Sequence, residues 1–250
     1  MKYGSIDIET LGLDPKTCDT IEFGCVLEDT SVQMALEELP RFHCYLTRPR
    51  NLYKGDVYAM FMHSKSGMFE RIAKRTEGFS YIPFDLLDEV FADWLQEQGI
   101  EGKLTVAGKN FAGFDLQFLK EIGFGCRTEL DHRTIDPGSM WFNPAEDESV
   151  PNLQICLERS GVRKGVAHTA VEDAIDVIRC IRAKHIGYQV QKLFSGFKVM
   201  ERLQSDGPFE AGNFDTLELA EIYIAERKVA PLGTSSMFSI IHPNGEITKG

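Results

Sequence analysis

The sequence has little of what would place it outside ordinary globular proteins. Its apolar runs all fall short of the ~20 residues that cross a bilayer. Its N-terminus turns acidic within nine residues, so no signal-peptide pattern is read there either. Cysteine is sparse: six residues, at positions 18, 25, 44, 126, 156 and 180, with no C-x-x-C pair. That argues against a disulfide framework and against zinc-ribbon spacing, and leaves reduced thiols in a cytoplasmic protein as the expectation. Positive charge is also short. The 27 Lys and Arg are outnumbered by 38 Asp and Glu, for a net charge of −11. A protein that coats long duplex DNA carries basic surface, and this one lacks the charge for it. A small nucleic-acid substrate stays open, because metal ions at a site supply positive charge that composition does not show. No internal repeat is present.

The 250 residues, 43% hydrophobic and 26% charged, are enough for one sizeable domain with an appendage. Alternation predicts strands over 3–9, 20–28 and 40–47, with Asp14-Pro15 turning the chain between the first two. Phe84, Leu87, Val90, Phe91, Trp94 and Leu95 repeat at helical spacing and predict a helix over 83–98, with Pro83 in its first turn. A short strand over 103–107, a helix over 112–122, a strand over 133–136 and helices over 151–160 and 169–184 follow. Strands first, then strands and helices in alternation, predict an α/β fold with a mixed sheet flanked by helices. Beyond Lys184 the pattern changes to a polar, glycine-containing stretch to about Gly212, a helix over 215–227, and a hairpin turning at Asn244-Gly245.

Three acidic segments interrupt this pattern. Asp7 and Glu9 stand two apart on the first predicted strand, so they share a face, while Ile6 and Ile8 take the other. A solvated strand face is the simple account of that pair. A divalent-cation site is the sharper one, since clustered carboxylate oxygens suit Mg²⁺ or Mn²⁺. Asp115, after the 103–107 strand, reads alone as a first-turn helix acid favoured by the macrodipole. In "HTAVEDAIDVIRC", Thr169 and Glu172 form a capping box, which makes His168 the residue before the cap and Asp173 the fourth of the helix. Side chains at those two positions commonly meet, and here the meeting pair would be a histidine and a carboxylate; a polar staple or a histidine exposed in the loop is the simple account. Four carboxylates around one point need cations; two divalent ions ~4 Å apart would relieve the repulsion and clamp a phosphodiester. A histidine beside them has the pKa to take a proton from an attacking water.

The D-x-E strand, the N-x-x-x-F-D segment from Asn110 to Asp115 and the H-x-A-x-x-D segment from His168 to Asp173 resemble the DEDDh 3′–5′ exonucleases of the ribonuclease H-like superfamily. Proofreading exonuclease subunits, RNase T and oligoribonuclease belong to that group. The resemblance covers residues 1–184 and includes "DTIEFG" after the first motif. It implies a ribonuclease H-like fold, with Asp7, Glu9, Asp115 and Asp173 holding two Mg²⁺ or Mn²⁺ ions and His168 as general base. It also implies release of 5′-mononucleotides from a single-stranded 3′ end. Thr10, Leu11 and Asn110 fall at substrate-side positions, Leu11 where the family places an apolar wedge against the 3′ base. "VYAMFMHSKSGMFERI" resembles an oligoribonuclease segment in which an aromatic residue, a histidine and a serine hold the terminal nucleotides; Tyr58, His63 and Ser66 match. Read without the family, that segment is an amphipathic helix with Tyr58, Phe61 and Met62 in the core and a Ser-Gly turn behind it.

The extension past Lys184 departs from oligoribonuclease. That family member's homodimer, which completes its site from a partner subunit, is therefore a candidate assembly only. Arg133 and Asp136 match the family's R-x-x-D segment loosely, and Asp136 reads as a supporting residue. The compact size and the lack of a polymerase segment would also suit a phage- or virus-encoded nuclease. The expected organisation is an exonuclease domain over 1–184 and an extension of unassigned role over 185–250. A catalytically silent nuclease-like binding module is the rival reading; it predicts a missing acid, and all five positions are filled.

Overall fold

The structure is a computed structural model and describes residues 1–32, 34–161, 169–184, 197–202, 209–214, 220–221, 224, 237–241 and 247–249. The chain divides into two compact units, Met1–Lys184 and His185–Gly250. In the first, strands β1 (Lys2–Thr10), β2 (Thr20–Asp29) and β3 (Arg41–Thr47) form an antiparallel meander. Helices α1 (Val57–Lys65) and α2 (Met68–Lys74) lead to β4 (Tyr81–Pro83), then to α3 (Leu87–Glu97) and β5 (Leu104–Ala107). They are followed by α4 (Asp115–Glu121), β6 (Leu130–Ile135), α5 (Pro137–Trp141), α6 (Leu153–Arg159) and α7 (Ala170–Lys184). The sheet order is β4-β3-β2-β1-β5-β6, with β4, β5 and β6 pairing parallel to their neighbours. This is the mixed α/β sheet that the pattern predicts.

Period-2 geometry gives the sheet two different faces. Ile6, Ile8, Phe23, Cys25, Phe42 and Cys44 line one and pack under α3 in the largest core cluster. Phe91 is its hub, edge-on to Phe23 at 5.0 Å and to Phe42 at 5.2 Å between ring centroids. On the other face, Tyr3 of β1 and Val26 of β2 pack against Ala174, Val177, Ile178 and Ile181 of α7. The antiparallel register sets Asp7 opposite Gly24 and Glu9 opposite Glu22, which puts all four on the α7 face.

Three expectations are corrected. The helix predicted from Pro83 begins at Leu87: Pro83 ends the edge strand β4, where its missing N–H is tolerated, and a 3₁₀ turn intervenes. Tyr58, Phe61 and Met62 are not core residues; they are 75%, 55% and 42% exposed on α1. The polar stretch after Lys184 contains two strands, β7 (Phe197–Arg202) and β8 (Phe209–Phe214). With β9 (Met237–Ile241) and β10 (Ile247–Lys249) they make a four-stranded antiparallel sheet in the order β10-β9-β7-β8. The predicted hairpin is the β9–β10 pair; its Asn244-Gly245 turn, and most of the 215–227 helix, lie outside the described residues. None of the described helices is long and apolar enough to cross a membrane.

Candidate metal centre

Strand β1 brings Asp7 and Glu9 onto the α7 face because alternate residues share a side. Helix α7 supplies Asp173 from its first turn, where the backbone N–H of Asp173 donates to Thr169 O at 3.0 Å. Ligand oxygens of Asp7, Glu9 and Asp173 all lie within 4.8 Å of one another. Asp115 opens α4, buried, after a tight turn in which Asn110 takes the left-handed region (φ 56°) and its carbonyl accepts from Gly113 and Phe114. Asp136 anchors that turn: one carboxylate oxygen accepts the Asn110 N–H at 3.0 Å, the other caps α5 through Gly138 at 2.7 Å.

The electrostatics follow from this crowding. Burial holds the Asp7 carboxyl well above the usual carboxylate range, and the charges of Asp115, Asp173, Glu9 and Glu22 push it further. Burial and then Glu22, Asp173 and Asp115 raise Glu9 to about 8. Burial raises Asp115 to about 7 even though backbone N–H groups, its own and that of Ile8, hold it down. Each acid competes with its neighbours for one charge state. A divalent cation would resolve that competition, and the donor set is all carboxylate oxygen, as Mg²⁺ and Mn²⁺ prefer.

Of the predicted site residues, Asp7, Glu9, Asp115 and Asp173 come together, while His168 lies outside the described residues. His63 also reaches the site: it is buried, its Nε2 donates to Thr10 O at 3.0 Å and stands 3.8 Å from Glu9 Oε2. Tyr58 stands exposed on α1. The other substrate-side positions are engaged locally. Thr10 Oγ1 donates to Gly12 O at 2.8 Å, Ser66 Oγ donates to His63 O at 2.9 Å, and Asn110 shapes its turn. Leu11 is fully buried in a small cluster with Ile21, Tyr45, Met68 and Ile72. Gly55 packs so closely on it that a Cβ there would sit 2.3 Å from Leu11 Cβ. A base cannot lie on a side chain placed at the bottom of the packing, so the wedge role is withdrawn from Leu11.

One residue at the site was not anticipated. Glu22 is 1% exposed, directly across from Glu9. Its Oε1 accepts from His43 Nε2 at 2.6 Å and its Oε2 accepts the Ala170 N–H at 3.3 Å. The available signal was a lone carboxylate in the otherwise apolar "TIEFGCV".

The fold defined by this sheet order and these flanking helices is ribonuclease H-like. The nuclease domain of 3'hExo, a DEDDh family member solved bound to rAMP, superposes with a TM-score of 0.52 at 18% identity, over 76% of this chain and 93% of that one. The zinc-bound complex of Escherichia coli ExoI with ssDNA gives 0.50 at 12% identity, over 80% and 47%. A second exonuclease I structure gives 0.50 at 13%, over 77% and 42%, so this chain spans less than half the length of exonuclease I. The likeness is one of fold. No family model matches the sequence, and no curated protein does.

Proposed function

We propose that this chain is a divalent-cation-dependent 3′–5′ exonuclease that releases 5′-mononucleotides from single-stranded RNA or DNA, short oligonucleotides included. The observation that carries the reading is the convergence of Asp7, Glu9 and Asp173 within 4.8 Å, with Asp115 electrostatically beside them. These residues would hold two Mg²⁺ or Mn²⁺ ions, which when bound supply an activated water and charge stabilisation for a phosphodiester. His168, five residues before Asp173, is the proposed general base on the sequence pattern alone. His63 steadies the Thr10 carbonyl beside Glu9, and the exposed Tyr58 ring offers a face on which an unpaired base can stack. Cytoplasmic residence fits the unpaired cysteines. The structural neighbours, one bound to rAMP and one to ssDNA, support the substrate class.

The test is incubation of the chain with 5′-labelled single-stranded RNA and DNA of several lengths under Mg²⁺, Mn²⁺ or EDTA. The expected result is a ladder shortening from the 3′ end that EDTA abolishes. Binding without cleavage under Mn²⁺ would replace the enzyme with a nuclease-like binding module.

A further inference from the structure

Two glutamates of β2 face α7, and each is tied to one end of that helix. Glu28 accepts from Arg182 Nε at 2.6 Å near the C-terminal end. Glu22 accepts the N–H of Ala170, the first residue of the helix. Six strand residues at ~3.4 Å each span about 20 Å, and twelve helical residues at 1.5 Å span about 18 Å, so the two ties match in length. Between them, next to Glu22, lies Gly24. A Cβ at Gly24 would meet the Ala170 carbonyl carbon and the Val171 nitrogen at 2.6 Å each. The backbone of the first helical turn therefore sits directly on the strand.

The register gives this contact its meaning. Gly24 is the cross-strand partner of Asp7, and Glu22 that of Glu9. Opposite each site acid of β1 stands the β2 residue that seats or ties the first turn of α7, the turn that bears Asp173. Glu22 is costly where it is: its charge is the largest of those that raise the Glu9 carboxyl. A buried carboxylate is kept only where its oxygens are satisfied, and both of these are, one by His43 and one by a helix N–H that has no partner within the helix. Its charge also lies at the positive end of a 15-residue helix.

We propose that Glu22 is a positioning residue: braced by His43 and combined with the glycine seat at Gly24, it fixes the first turn of α7 so that Asp173 meets Asp7 and Glu9. The inference rests on the metal-centre reading above, and its test separates the two. Hydrogen exchange at the amides of 170–173 and the Mn²⁺ affinity of the intact chain are measured for Glu22→Ala, Glu22→Gln and Gly24→Ala. Glu22→Ala should speed exchange in that turn and weaken Mn²⁺ binding roughly 10–100-fold, the usual effect of losing a residue that orients a ligand. Glu22→Gln keeps an acceptor for Ala170 and should recover most of both. Gly24→Ala should reproduce the Ala phenotype with Glu22 intact, which covers the case in which Glu22→Ala does not fold. Unchanged exchange and affinity in Glu22→Ala or in Gly24→Ala would overturn the proposal. A wild-type chain that binds no Mn²⁺ would defeat the metal centre, while exchange at 170–173 would still report on the tie.

Discussion

On β1, Ile6 and Ile8 point to one side of the sheet and Asp7 and Glu9 to the other, and the two sides obey opposite rules. The α3 side holds interlocking rings: Phe23, Phe42, Phe91, Phe124 and, partly buried, Trp94. The α7 side, near the N-terminal end of that helix, gathers acids that repel one another. Folding alone would not place four carboxylates there. The aromatic side supplies the rigidity against which the acidic side can be held, so the strands act as a plate between a stable layer and a strained one. Stability and the proposed activity should therefore respond separately, and often oppositely, to substitutions on the two sides.

The strongest way to sharpen that contrast is Asp7→Ala. Losing a ligand to the proposed metals removes several kcal/mol of transition-state stabilisation, on the order of 10³-fold in rate. The metal-free variant should meanwhile be at least as stable as wild type, because a buried carboxyl crowded by other acids is gone. Single-turnover rates and urea melts read both effects, and a near-normal rate would break the assignment. Phe91→Ala is the mirror case. It should cost roughly 3–5 kcal/mol of stability by urea denaturation while turnover per folded molecule at low temperature stays close to wild type. A selective loss of turnover would show that the two faces are not separable.

Protons and cations probe the acidic side directly. Without metal, Glu9 titrates at about 8 and Asp115 at about 7, above the ~4 of an unfolded carboxyl. The folded chain then binds more protons than the unfolded one, so this contribution is full below about pH 4 and is lost as pH rises towards about 8. Asp147, held at about 2 by Arg159, acts with the opposite sign only at lower pH. In EDTA the urea midpoint should fall between about pH 5 and about pH 8. Saturating Mg²⁺ should raise it most at the alkaline end; a midpoint flat with pH in EDTA would contradict the raised acids. The smallest effect is expected from Tyr58→Ala. Stacking of one base contributes about 1–3 kcal/mol, read as a higher KM with kcat and folding little changed.

Much of this was legible in the sequence because it depends on local periods. The D-x-E alternation, the apolar repeat of α7 and the Asp115 helix start are all readable within ten residues or so, and they placed the sheet and four acids. The misses depend on what a segment meets in space. Leu11 looks available in sequence and is sealed by Gly55, which is 44 positions away. Glu22 looks like an isolated charge until the β1–β2 register puts it across from Glu9. Tyr58, Phe61 and Met62 have core chemistry, yet α1 turns them outward. Strands β7 and β8 escaped because "FKVMER" and "FEAGNF" carry too few β-branched residues and too little alternation to announce themselves.

The paired ties of α7 also make β2 and α7 a matched ruler. One residue inserted between Glu22 and Glu28 would turn one of them through to the aromatic face, and one inserted between Ala170 and Arg182 would swing the arginine by about 100° around its helix. Length variation has no room in either segment. Loops can absorb it, so attempts to graft tags, linkers or new recognition elements onto this scaffold have the exposed turn at 30–32 open to them, while the stretch from Glu22 to Glu28 must keep its count.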